Sequence, residues 1–149
     1  ISATTREPRA GEKEGVNYYF LNQEKFKEMI EEKLFLEWAQ FAENYYGTPL
    51  SSVNEKIKKG LTVLLEIEVE GAKQIKEKFP ESLSIFLLPP NRAELERRIR
   101  NRGTEKEEAI KKRLLRANYE ISASNQFDFA LINHNVNETA KRIIKLVQT

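Results

Sequence analysis

From residue 62 onward, the sequence alternates between short apolar runs and stretches with the spacing of amphipathic helices. The runs Thr62–Ile67 and Leu83–Leu88 are almost continuously apolar, which is typical of strands covered on both faces of a parallel sheet. A third strand-like run covers Phe127–Ile132, and helical segments separate the three runs. This alternation predicts an α/β fold built on a parallel sheet.

The N-terminal part of the chain has a different organisation, with irregular stretches and short elements. Asn22 is placed to cap a helix whose apolar residues recur at helical spacing. Residues 35–41 predict a strand, residues 44–49 predict a turn, and a short helix is expected to stop at Gly60.

The side-chain inventory limits the chemistry that this chain can perform. It contains no cysteine, which excludes disulfides and thiolate metal sites and is compatible with a cytoplasmic location. The single histidine, His134, cannot build a histidine-rich metal site. With 25 basic and 23 acidic residues the net charge is +2, without the basic excess of a nucleic-acid binder. No apolar run is long enough to cross a membrane. From the charge balance we therefore expect no nucleic-acid partner, and from the short apolar runs we expect no membrane partner.

Two loop arginines form the first candidate binding motif. Arg6 and Arg9 lie three apart in a stretch containing glycine and proline. Guanidinium groups offer a planar fork to phosphate oxygens, so the pair could converge on one anion. Paired loop arginines are also common surface decoration, and this motif alone leaves both interpretations open.

A second group of residues suits a nucleotide base. Glu37 alternates with Leu36 and Trp38 in the predicted strand, so its carboxylate lies on the opposite face. There it could accept from the N1–H and amino group of guanine, although an exposed strand glutamate is the alternative. Tyr46 and Thr48 could hydrogen-bond phosphate and a purine carbonyl, or pack in a turn.

Acidic residues follow the first apolar run. Glu66 and Glu68 lie at the end of the predicted strand 62–67, where ligands bind in open α/β sheets. Carboxylates in that position commonly face a magnesium ion or a ligand. Because a glutamate buried without a partner is costly, a functional role is favoured for Glu66.

Three arginines in the C-terminal half suit phosphoryl transfer. Arg98 and Arg102 lie four apart on one predicted helix face, and Arg113 follows on the next helix. Positioned cations stabilise the charge that develops on a transferred phosphoryl group. A solvated basic helix surface would explain the same spacing.

In this order, these stretches resemble the guanylate kinase family over essentially the whole chain. S-A-T-T-R-E-P-R-A-G-E at 2–12 resembles the family segment S-x-T-T-R-x-P-R-x-G-E. G-V-N-Y-Y-F at 15–20 resembles G-x-x-Y-x-F. Further matches in the same order are E-W at 37–38, N-Y-Y-G-T at 44–48, P-P at 89–90 and R-G-T-E at 102–105.

The resemblance implies a P-loop NTPase-like parallel sheet flanked by helices, in a single domain over residues 1–149. It implies a mixed α/β GMP-binding insertion at 2–61, a core at 62–101 and 114–149, and a small helical lid at 102–113. The implied reaction transfers a phosphoryl group from ATP to GMP, giving ADP and GDP, with Mg²⁺ as cofactor. The alternative is a catalytically inactive guanylate-kinase-like module that binds other proteins.

The resemblance also implies roles for individual residues. The GMP phosphate would be held by Ser2, Arg6, Arg9, Tyr18 and Tyr46. The guanine edge would be read by Glu37, Thr48 and Glu68. The catalytic contacts to the moving phosphoryl group would come from Arg98, Arg102 and Arg113. ATP would be bound by Arg98, Arg102 and Asn133. Glu66 would hold the magnesium ion, through water.

The sequence departs from the family pattern in several places. Glu68 stands where aspartate is usual, Glu70 where glutamine is usual, and His134-Asn135 where an acidic pair is usual. The phosphate-binding loop G-x-x-x-x-G-K-[ST] does not occur in these 149 residues. Because Ile1 corresponds to a point at which members of the family are already inside their fold, we expect that loop to lie upstream. The 149 residues alone are then expected to bind GMP weakly and to transfer nothing; a relative that has abandoned catalysis is the alternative.

Overall fold

The computed structural model describes residues 1–101 and 106–149 of the chain. They form two compact units, 1–82 and 83–149. The first unit contains β1 (Ala3–Thr4), β2 (Tyr19–Phe20), α1 (Gln23–Glu31), β3 (Phe35–Phe41), β4 (Asn44–Pro49), α2 (Leu50–Lys58) and α3 (Val69–Lys78). The second contains β5 (Ile85–Leu88), α4 (Arg92–Asn101), α5 (Glu107–Ser122), a 3₁₀ turn (Ser124–Gln126), β6 (Phe129–Ile132) and α6 (Val136–Gln148). This mixed α/β architecture confirms the predicted fold class.

The first unit is built on a four-stranded sheet with the order β2-β1-β4-β3. β1 is parallel to β2 and antiparallel to β4, and β3 and β4 form a hairpin. The prediction of a turn at 44–49 is wrong, because these residues form β4. The chain reverses two residues earlier, at Ala42-Glu43, where Ala42 adopts a φ of 56°. Neither residue is a glycine or proline that would mark the reversal in the sequence.

An aromatic cluster packs α1 against the sheet of the first unit. The fully buried Phe26 ring stacks on Phe35, with 4.5 Å between the ring centroids. The Asn22 side chain accepts a hydrogen bond from the Lys25 N–H at 2.7 Å, which confirms the predicted helix cap. Gly60 follows α2 with a φ of 73°, as expected of a helix stop.

Residues 62–67 form no strand, contrary to the prediction from their apolar composition. A strand needs a hydrogen-bonded neighbour, and no segment within 1–101 or 106–149 pairs with this run. Its side chains instead alternate between half-buried and exposed, and Leu64 is 83% exposed. The apolar composition of residues 62–67 therefore indicates a tendency to form a strand, but it does not determine whether a partner strand is present.

The second unit contains the parallel pair that the alternation predicted. β5 and β6 pair in parallel from Ile85↔Phe129 to Leu88↔Ile132. The Asn133 N–H donates to the Leu88 carbonyl at 2.7 Å and extends this ladder. The strands predicted at 83–88 and 127–132 are thus confirmed, and each begins two residues later than predicted. Among the described helices, none combines the length and the apolar character needed to cross a membrane.

Candidate nucleotide-binding site

Strand register brings polar side chains onto one face of the sheet in the first unit. Glu37 of β3 lies opposite Thr48 of β4, and Tyr46 of β4 lies opposite Thr4 of β1. Residues directly opposite each other, and alternate residues along a strand, share a face. Glu37, Thr48 and Tyr46 therefore lie on the same face. At about 3.4 Å of rise per residue, about 7 Å of strand separates Tyr46 from Thr48.

Glu37 provides a buried acceptor on this face. It is 4% exposed, and its Oε1 accepts a hydrogen bond from the Thr48 hydroxyl at 2.7 Å. Burial raises the pKa of Glu37, while the Thr48 hydrogen bond and the charge of Lys78 act in the opposite direction. Glu68 also raises this pKa, which places a second carboxylate within electrostatic range. The structure thus brings together the three residues predicted to read guanine.

Arg6 forms the centre of a second cluster. Its Nη1 and Nη2 atoms both bind the Glu12 carboxylate at 3.0 Å, and Nη1 also donates to the Glu7 carbonyl at 2.9 Å. The Glu12 hydrogen bond, which is the strongest influence, raises the pKa of Arg6 and lowers that of Glu12. The guanidinium lies 5.3 Å from the centroid of the Tyr18 ring, and that ring contacts Tyr46 edge-on. Arg6, Tyr18 and Tyr46 are therefore neighbours.

The geometry of Arg6 bears on anion binding. Three of its five N–H groups are bonded to Glu12 and to the Glu7 carbonyl. The other two, on Nε and Nη2, form a side-on fork whose shape matches two oxygens of a phosphate, and a hydrogen bond with Tyr18 also contributes to the raised pKa of Arg6. The ion pair with Glu12 holds this fork in a fixed orientation.

Two further predicted phosphate contacts lie at the margin of this cluster. The Arg9 N–H donates to Oε1 of Glu12 at 2.7 Å, but the Arg9 side chain is exposed. Ser2 is half-buried, and its carbonyl accepts from the Tyr19 N–H at 2.9 Å. Arg9 lies in the loop of Arg6, whereas Ser2 immediately precedes β1.

Glu66 differs from its prediction. Its side chain is exposed and not buried in a strand, because the run 62–67 has no pairing partner in the described residues. Glu68 follows as the residue before the first turn of α3 and is half-buried. Residues 1–101 and 106–149 contain no group of three acidic, histidine or cysteine side chains that could hold a metal ion.

Two of the residues predicted to contact ATP lie together in the second unit. Nε of Arg98 binds Glu94 at 2.8 Å, and Nη2 donates to the Asn133 carbonyl at 3.1 Å. Hydrogen bonds from Arg97 and Arg98 lower the pKa of Glu94 to about 2, so Glu94 is a permanent anion at neutral pH. The Asn133 side chain accepts from the Thr139 hydroxyl at 2.9 Å.

The other two predicted catalytic arginines are Arg113 and Arg102. Arg113 is half-buried on α5. Arg102 lies outside the described residues.

Sequence reasoning missed three residues that shape the first-unit site. Glu12 pairs with Arg6, and only its position in the same loop could have suggested this. Gly71 approaches Glu37 so closely that an added Cβ would overlap the carboxylate and lie 2.9 Å from its Cδ atom. Gln74 binds the backbone of Trp38. The last two contacts are distant in sequence, and no local pattern marks them.

Comparison with known proteins finds the same similarity along the whole chain. The guanylate kinase family model matches residues 1–149. A guanylate kinase of Prochlorococcus marinus strain MIT 9312 is 89% identical over 149 residues, covering 100% of this chain and 81% of the relative. One from Synechocystis sp. is 52% identical over 147 residues, covering 99% and 77%. The crystal structure of guanylate kinase from Anaplasma phagocytophilum superimposes with a TM-score of 0.86 at 35% identity, covering 99% and 72%.

Proposed function

Because this chain belongs to the guanylate kinase family, we propose that it serves the transfer of a phosphoryl group from ATP to GMP, giving ADP and GDP. One observation carries the proposal. Glu37 and Thr48, the acceptor pair for guanine, share one sheet face with Tyr46, and about 7 Å of strand separates Thr48 from Tyr46, whose ring contacts the Tyr18–Arg6 pair. None of the relatives compared above supports the alternative of an inactive binding module.

Recognition of guanine rests on hydrogen-bond polarity. Guanine presents N–H donors on the edge that carries its amino group, and an ionised Glu37 supplies acceptor oxygens in a buried setting. Thr48 orients one of these oxygens, and Glu68 provides a second acceptor. The same edge of adenine carries a ring-nitrogen acceptor, which would face the carboxylate without a proton between them. We therefore propose that this site selects GMP over AMP.

The phosphate end of GMP would bind the Arg6 cluster. The side-on fork of Arg6 would match two phosphate oxygens, and Tyr18 and Tyr46, whose rings neighbour Arg6 and each other, would donate to the others through their hydroxyls. Arg9, in the same loop as Arg6, and Ser2, immediately before β1, would complete the set. In this proposal the segment 2–61 is the GMP-binding region, as the resemblance implied.

The proposed transfer step depends on positive charge. Arg98, Arg102 and Arg113 would stabilise the charge on the transferred phosphoryl oxygens, with 102–113 acting as the lid. Asn133, whose carbonyl binds Arg98, would lie near the adenine of ATP. The chemistry needs no covalent intermediate, because alignment and charge stabilisation are sufficient.

Phosphoryl transfer in this family uses a divalent metal ion, and we propose Mg²⁺. A single exposed carboxylate, Glu66, fits an ion that keeps most of its waters and is bound largely through substrate phosphates. Glu66 would hold one of those waters. The ion would supply neutralisation of the phosphate charge.

A coupled assay of ADP release tests the proposed function in the full-length protein. We expect kcat/KM for GMP to exceed that for AMP by at least about 100-fold, the range that paired polar contacts can produce. Glu37→Gln should remove most of this preference. The matched control is Glu55→Gln, which changes an exposed glutamate on α2 and should leave the preference intact. Equal use of GMP and AMP by the unmodified protein would rule the proposal out.

A further inference from the structure

We propose that one face of α3 is the positioning element for guanine recognition, with Gln74 as its central residue. This inference rests on the proposed function, since it concerns how the guanine-reading carboxylates are held. Gly71, Gln74 and Lys78 form this face, which we call the docking face of α3. None of the three residues touches the nucleotide in our proposal, so each acts through Glu37.

The docking face binds the free edge of the sheet. β3 is the last strand in the order β2-β1-β4-β3, so its outer backbone groups have no neighbouring strand within the described residues. The Gln74 amide nitrogen donates to the Trp38 carbonyl at 2.6 Å, and the Gln74 amide oxygen accepts from the Trp38 N–H at 3.1 Å. Lys78 donates to the Leu36 carbonyl at 2.6 Å. Two helix side chains thus replace the ladder that a further strand would supply.

Helical spacing explains why these three residues act together. Positions 71, 74 and 78 are separated by three and four residues, so they lie in one row along the helix. Gly71 contacts Glu37 itself. Gln74 and Lys78 bind the backbone of the residues on either side of Glu37. The backbone on either side of the guanine-reading carboxylate is therefore fixed by this helix.

The same helix carries the second carboxylate. Glu68 is the N-cap residue of α3, one turn before the docking face, and it is close enough to influence the pKa of Glu37. Docking α3 on β3 therefore sets the separation of Glu37 and Glu68. If the docking loosens, both acceptors lose their register with the guanine edge.

Glutamine is suited to this position for a chemical reason. The Trp38 backbone offers one donor and one acceptor, and a primary amide supplies the complementary acceptor and donor. Glutamate can accept from the N–H but cannot donate to the carbonyl when ionised. Leucine can do neither. Glutamate has the shape of glutamine and leucine has a similar volume, so the series varies hydrogen bonding more than volume.

Equilibrium binding of GMP and IMP tests the inference without requiring turnover. IMP lacks the amino group of guanine, so the ratio of the two dissociation constants reports how well the carboxylates are positioned. We expect Gln74→Leu to weaken GMP binding about tenfold and to move the GMP-to-IMP preference towards one, with Gln74→Glu between Gln74→Leu and wild type. Gln148→Leu, an exposed glutamine in the last turn of α6, is the matched control and should change neither value.

The outcomes separate this inference from the function on which it rests. A folded Gln74→Leu protein that keeps the wild-type preference for GMP over IMP, or that loses affinity for both equally, overturns the positioning role alone. If Gln74→Leu does not fold in a thermal melt, Gln74→Glu decides the question by the same ratio. A wild-type protein that binds GMP no better than AMP overturns the proposed function itself.

Discussion

Replacing Gly71 with alanine tests whether the contact between α3 and Glu37 has the geometry described here. In an exposed helix, glycine to alanine is stabilising, by up to about 1 kcal/mol. Here the new methyl group would overlap the Glu37 carboxylate and lie 2.9 Å from its Cδ atom, closer than packed carbon atoms approach. Either the helix or the carboxylate must move.

The two effects have opposite signs, so their sizes decide the outcome. Overpacking of this kind typically costs about 1–3 kcal/mol. Subtracting a helix-propensity gain of about 1 kcal/mol leaves a net loss of about 0–2 kcal/mol in the free energy of unfolding. The loss should disappear when Glu37 is truncated to alanine, because the overlapping atoms are then absent.

A double-mutant cycle isolates this contact. Urea unfolding of wild type, Gly71→Ala, Glu37→Ala and the double variant can be followed by fluorescence of Trp38, the one tryptophan in the 149 residues. The propensity term cancels, so the coupling energy should equal the overpacking cost of about 1–3 kcal/mol. Additivity within about 0.5 kcal/mol would refute the close approach of Gly71 to Glu37.

Three further predictions follow from the site. Because burial raises the pKa of Glu37, GMP binding should weaken on acidification at a higher pH than an ordinary glutamate would give. The contribution of Glu37 to the free energy of unfolding should be fully present at low pH and should be lost as the pH rises through this raised pKa. Both trends should be absent in Glu37→Gln when GMP affinity and the free energy of unfolding are each measured as a function of pH. Arg6→Ala should raise the KM for GMP at least about tenfold, whereas Arg98→Ala should mainly lower kcat; steady-state kinetics showing equal effects on both parameters would contradict this division. Gly47→Ala should cost about 1–3 kcal/mol in urea unfolding, because a Cβ there would lie 2.8 Å from the Phe35 ring; unchanged stability would contradict the packing.

Local signals in the sequence predicted local structure correctly. The Asn22 cap and the Gly60 stop depend on a few neighbouring residues and on backbone conformation, so they can be recognised in sequence. The strand at 35–41 alternates in a way that also identified the face of Glu37. The structure places Thr48 in contact with Glu37 and Glu68 within electrostatic range of it, and these are the three residues that the resemblance groups together.

Features that depend on distant partners were not predictable in the same way. The segment 44–49 forms a strand because β1 and β3 pair with it on both sides. The run 62–67 has strand composition but no pairing partner in the described residues. Amino-acid composition indicates the tendency of a segment to form a strand. The strand itself also requires a hydrogen-bonded neighbouring strand, and tertiary structure determines whether one is present.

Positioning residues escaped sequence analysis for the same reason. The Gln74–Trp38 hydrogen bonds join residues 36 positions apart, and the Arg6–Glu12 pair joins two loop residues whose spacing has no regular period. Glutamine on a helix and glutamate in a loop are ordinary surface residues by type. Their importance becomes evident from what they bind. Gln74 binds the backbone next to Glu37, and Glu12 binds the Arg6 guanidinium that faces Tyr18.

A crystal structure of the protein with GMP tests the central claim most directly. The account predicts that the phosphate of GMP lies within hydrogen-bonding distance of Arg6 and Tyr18 while the amino edge of guanine faces Glu37. GMP bound with its base away from Glu37, or with its phosphate bound by residues outside the Arg6 cluster, would contradict the account.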